Sequence, residues 1–312
     1  MKEEKISPFS SRIKDMDVSI VIPSFNSKKL IKANLPKVIE AYQNPKNKIK
    51  EVIIVDDGSS DKTAEYVKKN FPLVRLIKHK KNRGFSWAVN TGVNNAKGYL
   101  VALLNTDVIP SDDFLVSVIP HFRDEKVFAV SLHEQGYGFA KGVFEHGFIG
   151  HRPGKASKSV KNTFWVSGGS GVFCRDLWLK LGGMDEKLFS PFYWEDVDLS
   201  YRALKRGYKL LWDPDSDVLH EHESTIGKIP ARYRRRIQER NHLIFIWKNL
   251  TSPNLFKKHT RGLVKRIIKN PGYLIIFFMA LIKIKEVVKA RKREKKESLV
   301  SDEAVFASFK KR

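Results

Sequence analysis

The chain has almost no cysteine: Cys174 stands alone among 312 residues. No internal disulfide can form, which fits a reducing compartment. Long apolar runs are also missing. None reaches the roughly 18–20 residues that span a bilayer, and Lys283 closes the longest, Tyr273 to Ile282. Met1 to Asp17 is polar and charged, so no signal peptide is expected there. No Gly-x-Gly-x-x-Gly follows the first expected strand and no Walker-type loop occurs. Those absences count against a dinucleotide dehydrogenase and a P-loop enzyme. Acid is scarce beside base, with 34 Asp and Glu against 58 Lys and Arg, a net charge of +24. Such an excess suits nucleic acid, an anionic membrane or a phosphorylated substrate. It gathers at Arg232, Arg234, Arg235 and Arg236 and again from Lys283 to Lys296.

What is present is an alternation of two periods. Val18 to Pro23 is a β-branched run that reads as a buried strand. Leu30, Ile31, Leu35, Val38, Ile39 and Tyr42 follow at helical spacing. Further strands are expected at 51–55, 73–77 and 99–104, with helices at 63–69 and 86–95. Strand and helix in turn imply a parallel sheet with right-handed crossovers, an α/β fold. Ligands of such sheets bind at the carboxyl ends of the strands. Three polar clusters meet there: Pro23-Ser24-Phe25-Asn26, Asp56-Asp57 and Asn105-Thr106-Asp107. Asp-Asp-Gly-Ser by itself is an ordinary turn. The coincidence of three clusters is the stronger signal.

The second half reads less regularly. A helix is expected over 112–122 and strands at 127–132 and near 210–212. Residues 136–161 show no clear period and read as a mobile excursion over the site. Phe164 to Phe173 reads as a strand, a glycine loop with Gly168 and Gly169, and a strand; glycines there allow close backbone approach or a plain hairpin. Next comes Phe192-Tyr193-Trp194-Glu195-Asp196-Val197-Asp198. A carboxylate held against aromatic surface loses hydration, its pKa rises, and it becomes a better base. The same acids also suit the start of a helix. His220 and His222 share a strand face and, with Asp107, could ligate a metal; short histidine pairs also occur without one.

Taken in order from Val18 to Ser224, the segments Val18 to Asn26, Val55 to Asp61, Asn82-Arg83-Gly84-Phe85, Asn105-Thr106-Asp107, Gly182 to Glu186, Trp194 to Asp198 and His220 resemble a family 2 glycosyltransferase. The branch most similar is the rhamnosyl- and galactofuranosyl-transferase-like one, which builds bacterial cell-surface polysaccharide. The resemblance implies a GT-A fold, with a Rossmann-like nucleotide-binding half and a mixed central sheet. Asp56 and Asp57 match the acids that bind the nucleotide, with Pro23, Ser24 and Phe25 lining that pocket and Arg83 and Asn105 beside it. Asn105-Thr106-Asp107 matches an Asp-x-Asp metal motif whose first acid is here Asn. It leaves Asp107 and His220 as ligands for Mn²⁺ or Mg²⁺, with His222 as the rival histidine. Asp196 matches the catalytic base. Glu195 takes a supporting role beside it, and Gly168, Gly169, Trp194 and Asp198 belong to the donor and acceptor loops. One base and no second nucleophile imply a single displacement with inversion.

The expected organisation is a flexible 1–16, a GT-A unit over 17–250 divided at 107/108, and a basic amphipathic helical tail over 251–312. Leu263 to Ala290 pairs apolar with basic residues, the composition of a helix lying on an anionic membrane. It could equally pack on the domain, and a frayed or disordered end is expected beyond Arg291. The expected partners are a UDP- or dTDP-sugar, a saccharide or lipid-linked saccharide, and the inner face of the cell membrane, in the cytoplasm. Two other classes stay open. A nucleic-acid-binding protein would explain the charge but not the acids at the strand ends, and it lacks an aromatic-interleaved basic motif, so no nucleic acid is expected. A nucleotidyltransferase would need a Gly-rich basic loop near the start that is not found.

Overall fold

The computed structural model describes residues 16–220 and 229–310. The first half follows the expected alternation: β1 (Val18–Ser24), α1 (Lys28–Gln43), β2 (Ile49–Asp56), α2 (Thr63–Asn70), β3 (Arg75–Lys78), α3 (Phe85–Asn95) and β4 (Leu100–Leu104). The chain continues through β5 (Val108–Pro110), β6 (Val127–Glu134), β7 (Ala140–Glu145), β8 (Phe148–Pro153), β9 (Lys161–Asn162), β10 (Ser170–Cys174), α4 (Arg175–Leu181), α5 (Glu195–Lys205) and β11 (Lys209–His220). Five helices close it: α6 (Ala231–Asn249), α7 (Pro253–Lys269), α8 (Tyr273–Leu281), α9 (Ile284–Glu297) and α10 (Asp302–Ser308).

Nine strands form one mixed sheet in the order β3-β2-β1-β4-β10-β6-β11-β5, with β9 beside β11. Strands β1 to β4 run parallel. β10 runs against both β4 and β6, and β11 runs with β6. That pattern brings the carboxyl ends of β1, β2, β4, β6 and β11 to one edge, together with the start of β10. Every residue of β1 and β4 is buried. α1 covers one face of the sheet through Ile31, Leu35 and Val38, and α3 covers the other through Ala88, Val89 and Val93. A third apolar cluster joins the β7–β8 hairpin to α5 and to all five closing helices.

Four expectations change. Residues 112–118 form turns and only Ile119–Arg123 is helical, as a 3₁₀ turn; Pro120 has no N–H to sustain an α-helix. The 136–161 excursion contains a regular hairpin, β7–β8. Its two turn residues, His146 and Gly147, have φ of 53° and 86°, the signature of a type I′ turn. The tail is not one helix, because Pro271 and Gly272 separate α7 from α8. Beyond Arg291 the chain stays helical to Glu297 and then forms α10, whose Asp302 is buried. Among the described residues no helix is long and apolar enough to cross a membrane.

Candidate active site

Ser24 and Asp56 end adjacent parallel strands and lie opposite each other in register. Among the described residues neither the Ser24 hydroxyl nor either Asp56 carboxylate oxygen has a hydrogen-bond partner, although all three atoms are buried. Buried polar groups are nearly always paired. These three are therefore poised for a ligand. Pro23 faces Val55 in the same register, and Phe25 is exposed just beyond the strand. Asp57 has a different task. Its carboxylate accepts the backbone amides of Arg83 and Gly84 and contacts His79 Nδ1 at 2.6 Å. It fixes the 82–84 loop beside the end of β2. The guanidinium of Arg83 lies over the Trp87 ring, 3.3 Å from its centroid.

The ends of β4, β6 and β11 assemble a second cluster. His220 Nε2 is 3.3 Å from Asp107 Oδ1, and His220 Nδ1 is 3.1 Å from Glu134 Oε1. Ser170 Oγ donates to the same Glu134. Burial opposes a charge on His220, but Asp107 and Glu134 outweigh it and raise the imidazole to about 9. His222 and Ser224 lie outside the described residues. Among the described residues no ready group of three or more metal-ligating side chains is formed.

Asp196 is the second residue of α5, whose first turn holds Glu195, Asp196 and Asp198. The Gly168 amide donates to Asp196 Oδ2 at 3.4 Å, and the Val197 amide to Oδ1 at 2.8 Å. Loss of hydration nevertheless dominates and lifts Asp196 to about 6. The next residue of the loop, Gly169, accepts the Asn105 amide at 2.8 Å. A Cβ on Gly169 would come within 2.3 Å of Asn105 Nδ2, so any other residue there would push the Asn105 side chain aside. The 167–169 loop thus joins the Asn105-to-Asp107 cluster to Asp196.

Glu195 is buried, and burial followed by the neighbouring Asp196 charge raises its pKa well above the usual range. Trp194 stacks on His242 with centroids 4.1 Å apart and on Phe245 at 5.1 Å, which clamps the approach to α5. Asp198 points away from the cleft. Its carboxylate accepts from Arg202 Nε, Lys248 Nζ and Asn249 Nδ2 at 2.7–2.9 Å. Burial would raise its pKa, but the Lys248 and Arg202 charges hold it below the usual range. Sequence reasoning missed Glu134. It closes a strand at the same sheet edge as the other site acids, and that positional rule could have found it.

The family model described as "Glycosyl transferase family 2" matches residues 19–177. A pre-mycofactocin glycosyltransferase of Mycobacterium tuberculosis is 28% identical over 224 residues, 69% of this chain and 45% of that protein. The chain thus spans under half the length of that curated relative. The N-acetylglucosaminyl-diphospho-decaprenol L-rhamnosyltransferase of the same organism is 26% identical over 217 residues, 58% of this chain and 70% of its own. Among solved structures, GalNAc-T7 with UDP, GalNAc and Mn²⁺ superposes with a TM-score of 0.61 at 18% identity, covering 83% of this chain and 57% of that one. The shared fold is GT-A.

Proposed function

Because the chain belongs to glycosyl transferase family 2, we propose that it moves a sugar from a nucleotide-sugar to a hydroxyl of a saccharide acceptor, with inversion. The observation that carries this is the 167–169 loop, which ties a carboxyl of raised pKa, Asp196, to the polar cluster at the strand ends. Ser24 and Asp56, buried without partners, would take the base and ribose of a UDP- or dTDP-sugar.

A divalent cation, Mn²⁺ or Mg²⁺, fits beside Asp107 and His220 in exchange for the imidazole proton that Asp107 and Glu134 otherwise hold there. The donor set is one carboxylate oxygen and one imidazole nitrogen, and Glu134 on the other ring nitrogen is the arrangement that orients a ligating histidine. Bound there, the cation supplies charge neutralisation for the diphosphate. This chain's residues do the rest. Asp196, ionised, accepts the proton of the acceptor hydroxyl. The freed oxygen forms a bond to the anomeric carbon as the bond from that carbon to the phosphate oxygen breaks. The nucleoside diphosphate leaves with that electron pair. Glu195, buried beside Asp196 in the same helical turn, would support it there.

The name of the decaprenol-linked relative supports a lipid-linked acceptor. The basic tail supports a place at the cytoplasmic face of the membrane. The test is release of nucleoside diphosphate across a panel of nucleotide-sugars with Mn²⁺ or Mg²⁺. One donor should react, and Asp196→Asn should slow it by roughly 10²–10⁴. Equal rates in mutant and wild type would remove Asp196 as the base.

A further inference from the structure

The membrane reading above names no surface, and the closing helices supply one. Residues 253–281 contain six Lys or Arg and no Asp or Glu. Along α7, Lys258, Arg261, Lys265 and Lys269 are exposed at helical spacing, and none of the four pairs with a carboxylate among the described residues. With Arg266 they line a cavity of about 430 Å³ between α7 and the β7–β8 turn. Its walls are fixed. His259 Nδ1 meets the Gly147 carbonyl at 2.7 Å, and the Arg266 guanidinium lies 3.6 Å over the Phe148 ring. Arg266 is paired with Glu239, so the other four carry the unbalanced charge. Like charges along one helix repel, and an anion in the cavity would relieve this.

Beside this cavity the chain turns into α8, which contains no charged residue. Ile276 and Ala280 pack inward. Leu274, Ile275, Phe278, Leu281 and the following Ile282 recur at the spacing of one helix face, and all five are exposed, Phe278 to 57% and Ile282 to 82%. A contiguous apolar stripe beside clustered cations marks an interaction surface rather than scattered surface apolars. Nine residues cannot cross a bilayer. They can lie in its interface.

We propose that α7 and α8 form a docking surface for an anionic phospholipid bilayer, with the outer face of α8 among the acyl chains and the α7 cavity holding lipid phosphates. Charge complementarity selects this occupant over a protein partner: an uncharged insertion face flanked by unneutralised Lys and Arg suits an anionic interface. The proposal rests on the membrane part of the functional reading and is independent of the sugar-transfer part.

The experiment is co-sedimentation of the full chain with phosphatidylcholine vesicles, with and without phosphatidylglycerol, run beside nucleoside diphosphate release from a soluble donor. Wild type should partition onto anionic vesicles, and salt should weaken that binding. Ile275→Ser with Phe278→Ser should lower partitioning at least ~10-fold. Lys258→Gln with Lys265→Gln should lower it roughly 25-fold on anionic vesicles and little on neutral ones. Donor turnover in solution should match wild type in both variants, which shows that they fold. Vesicle binding by both variants equal to wild type would overturn this surface and leave the membrane location standing. Failure of wild type to bind anionic vesicles would overturn both and leave glycosyl transfer untouched. A wild-type dimer that turns monomeric with the two serines, without vesicle binding, would assign α8 to a second copy and overturn the proposal. Vesicle binding as expected, with no donor turnover by wild type, would support the surface and count against the reaction instead.

Discussion

Asp196 is where one residue's chemistry is most exposed to test. As the proposed base, with its carboxyl raised to about 6, Asp196 should set the acid limb of the rate profile. A base works only when ionised, so kcat/KM should fall as pH drops below about 6 and level off above it. The same shift has a stability consequence of opposite sense. An unfolded aspartate ionises near 3.9, so the folded protein holds this proton more tightly. Stability is therefore lost as pH rises from about 4 through about 6. Ionised at neutral pH, Asp196 destabilises the fold by about 3 kcal/mol, and Glu195 is shifted in the same direction. Asp196→Asn and Glu195→Gln should each raise the thermal midpoint by ~3–5 °C, the first while slowing transfer by roughly 10²–10⁴. A lower midpoint in both would show that the carboxylates are not held against their preference.

At the scale of elements, α5 is aimed by α6. Lys248 on α6 bonds Asp198 at 2.9 Å and Asp185 of the preceding loop at 3.0 Å. Arg202 adds the carbonyls of Leu181 and Gly183, both at 2.6 Å. One ammonium thus ties α5, the Gly182-to-Glu186 loop and α6 together. Removing one partner from a buried ion pair leaves a charge without compensation. Lys248→Ala should destabilise by ~3–5 kcal/mol in denaturant unfolding. Because Asp198 is held below the usual aspartate range, the pair's contribution is present at neutral pH and lost only in stronger acid. A loss under about 1 kcal/mol would mean that water reaches Asp198. This network answers what Asp198 does: it holds the helix and does not line the cleft.

Across the whole molecule, the end of the chain completes the core. Asp302 on α10 accepts from Lys205 Nζ at 2.6 Å, from the Tyr201 hydroxyl at 2.7 Å and from the Ser252 amide at 2.6 Å. Val305 and Phe306 join the apolar cluster that contains Tyr201 and Phe164. A chain ending at Val300 would strand the Lys205 ammonium and the Tyr201 hydroxyl in a buried place. It should express as insoluble protein or melt well below the full chain in a thermal scan. An unchanged midpoint would show that α10 is dispensable.

The sequence by itself determined the Rossmann-like half and its edge. Buried parallel strands need unbroken β-branched runs, and each run ends in the polar residue that the ligand edge requires, so Ser24, Asp56 and Asp107 were legible. Asp196 was legible too, as an acid after an aromatic run at a helix start. The β7–β8 hairpin was hidden because its signal is a single His-Gly turn with weak alternation on either side. Only the tertiary structure assigned partners. Asp56 and Asp57 are adjacent and chemically identical, yet one is buried without a partner and the other is saturated by two amides and a histidine. Glu134 reaches His220 only because β6 and β11 pair in parallel. Asp302 is buried only because α10 returns to α5, 101 positions away from Tyr201 in sequence. Spacing along a chain fixes which face a side chain takes within its own element. Which distant group meets that face depends on how the sheet and helices close.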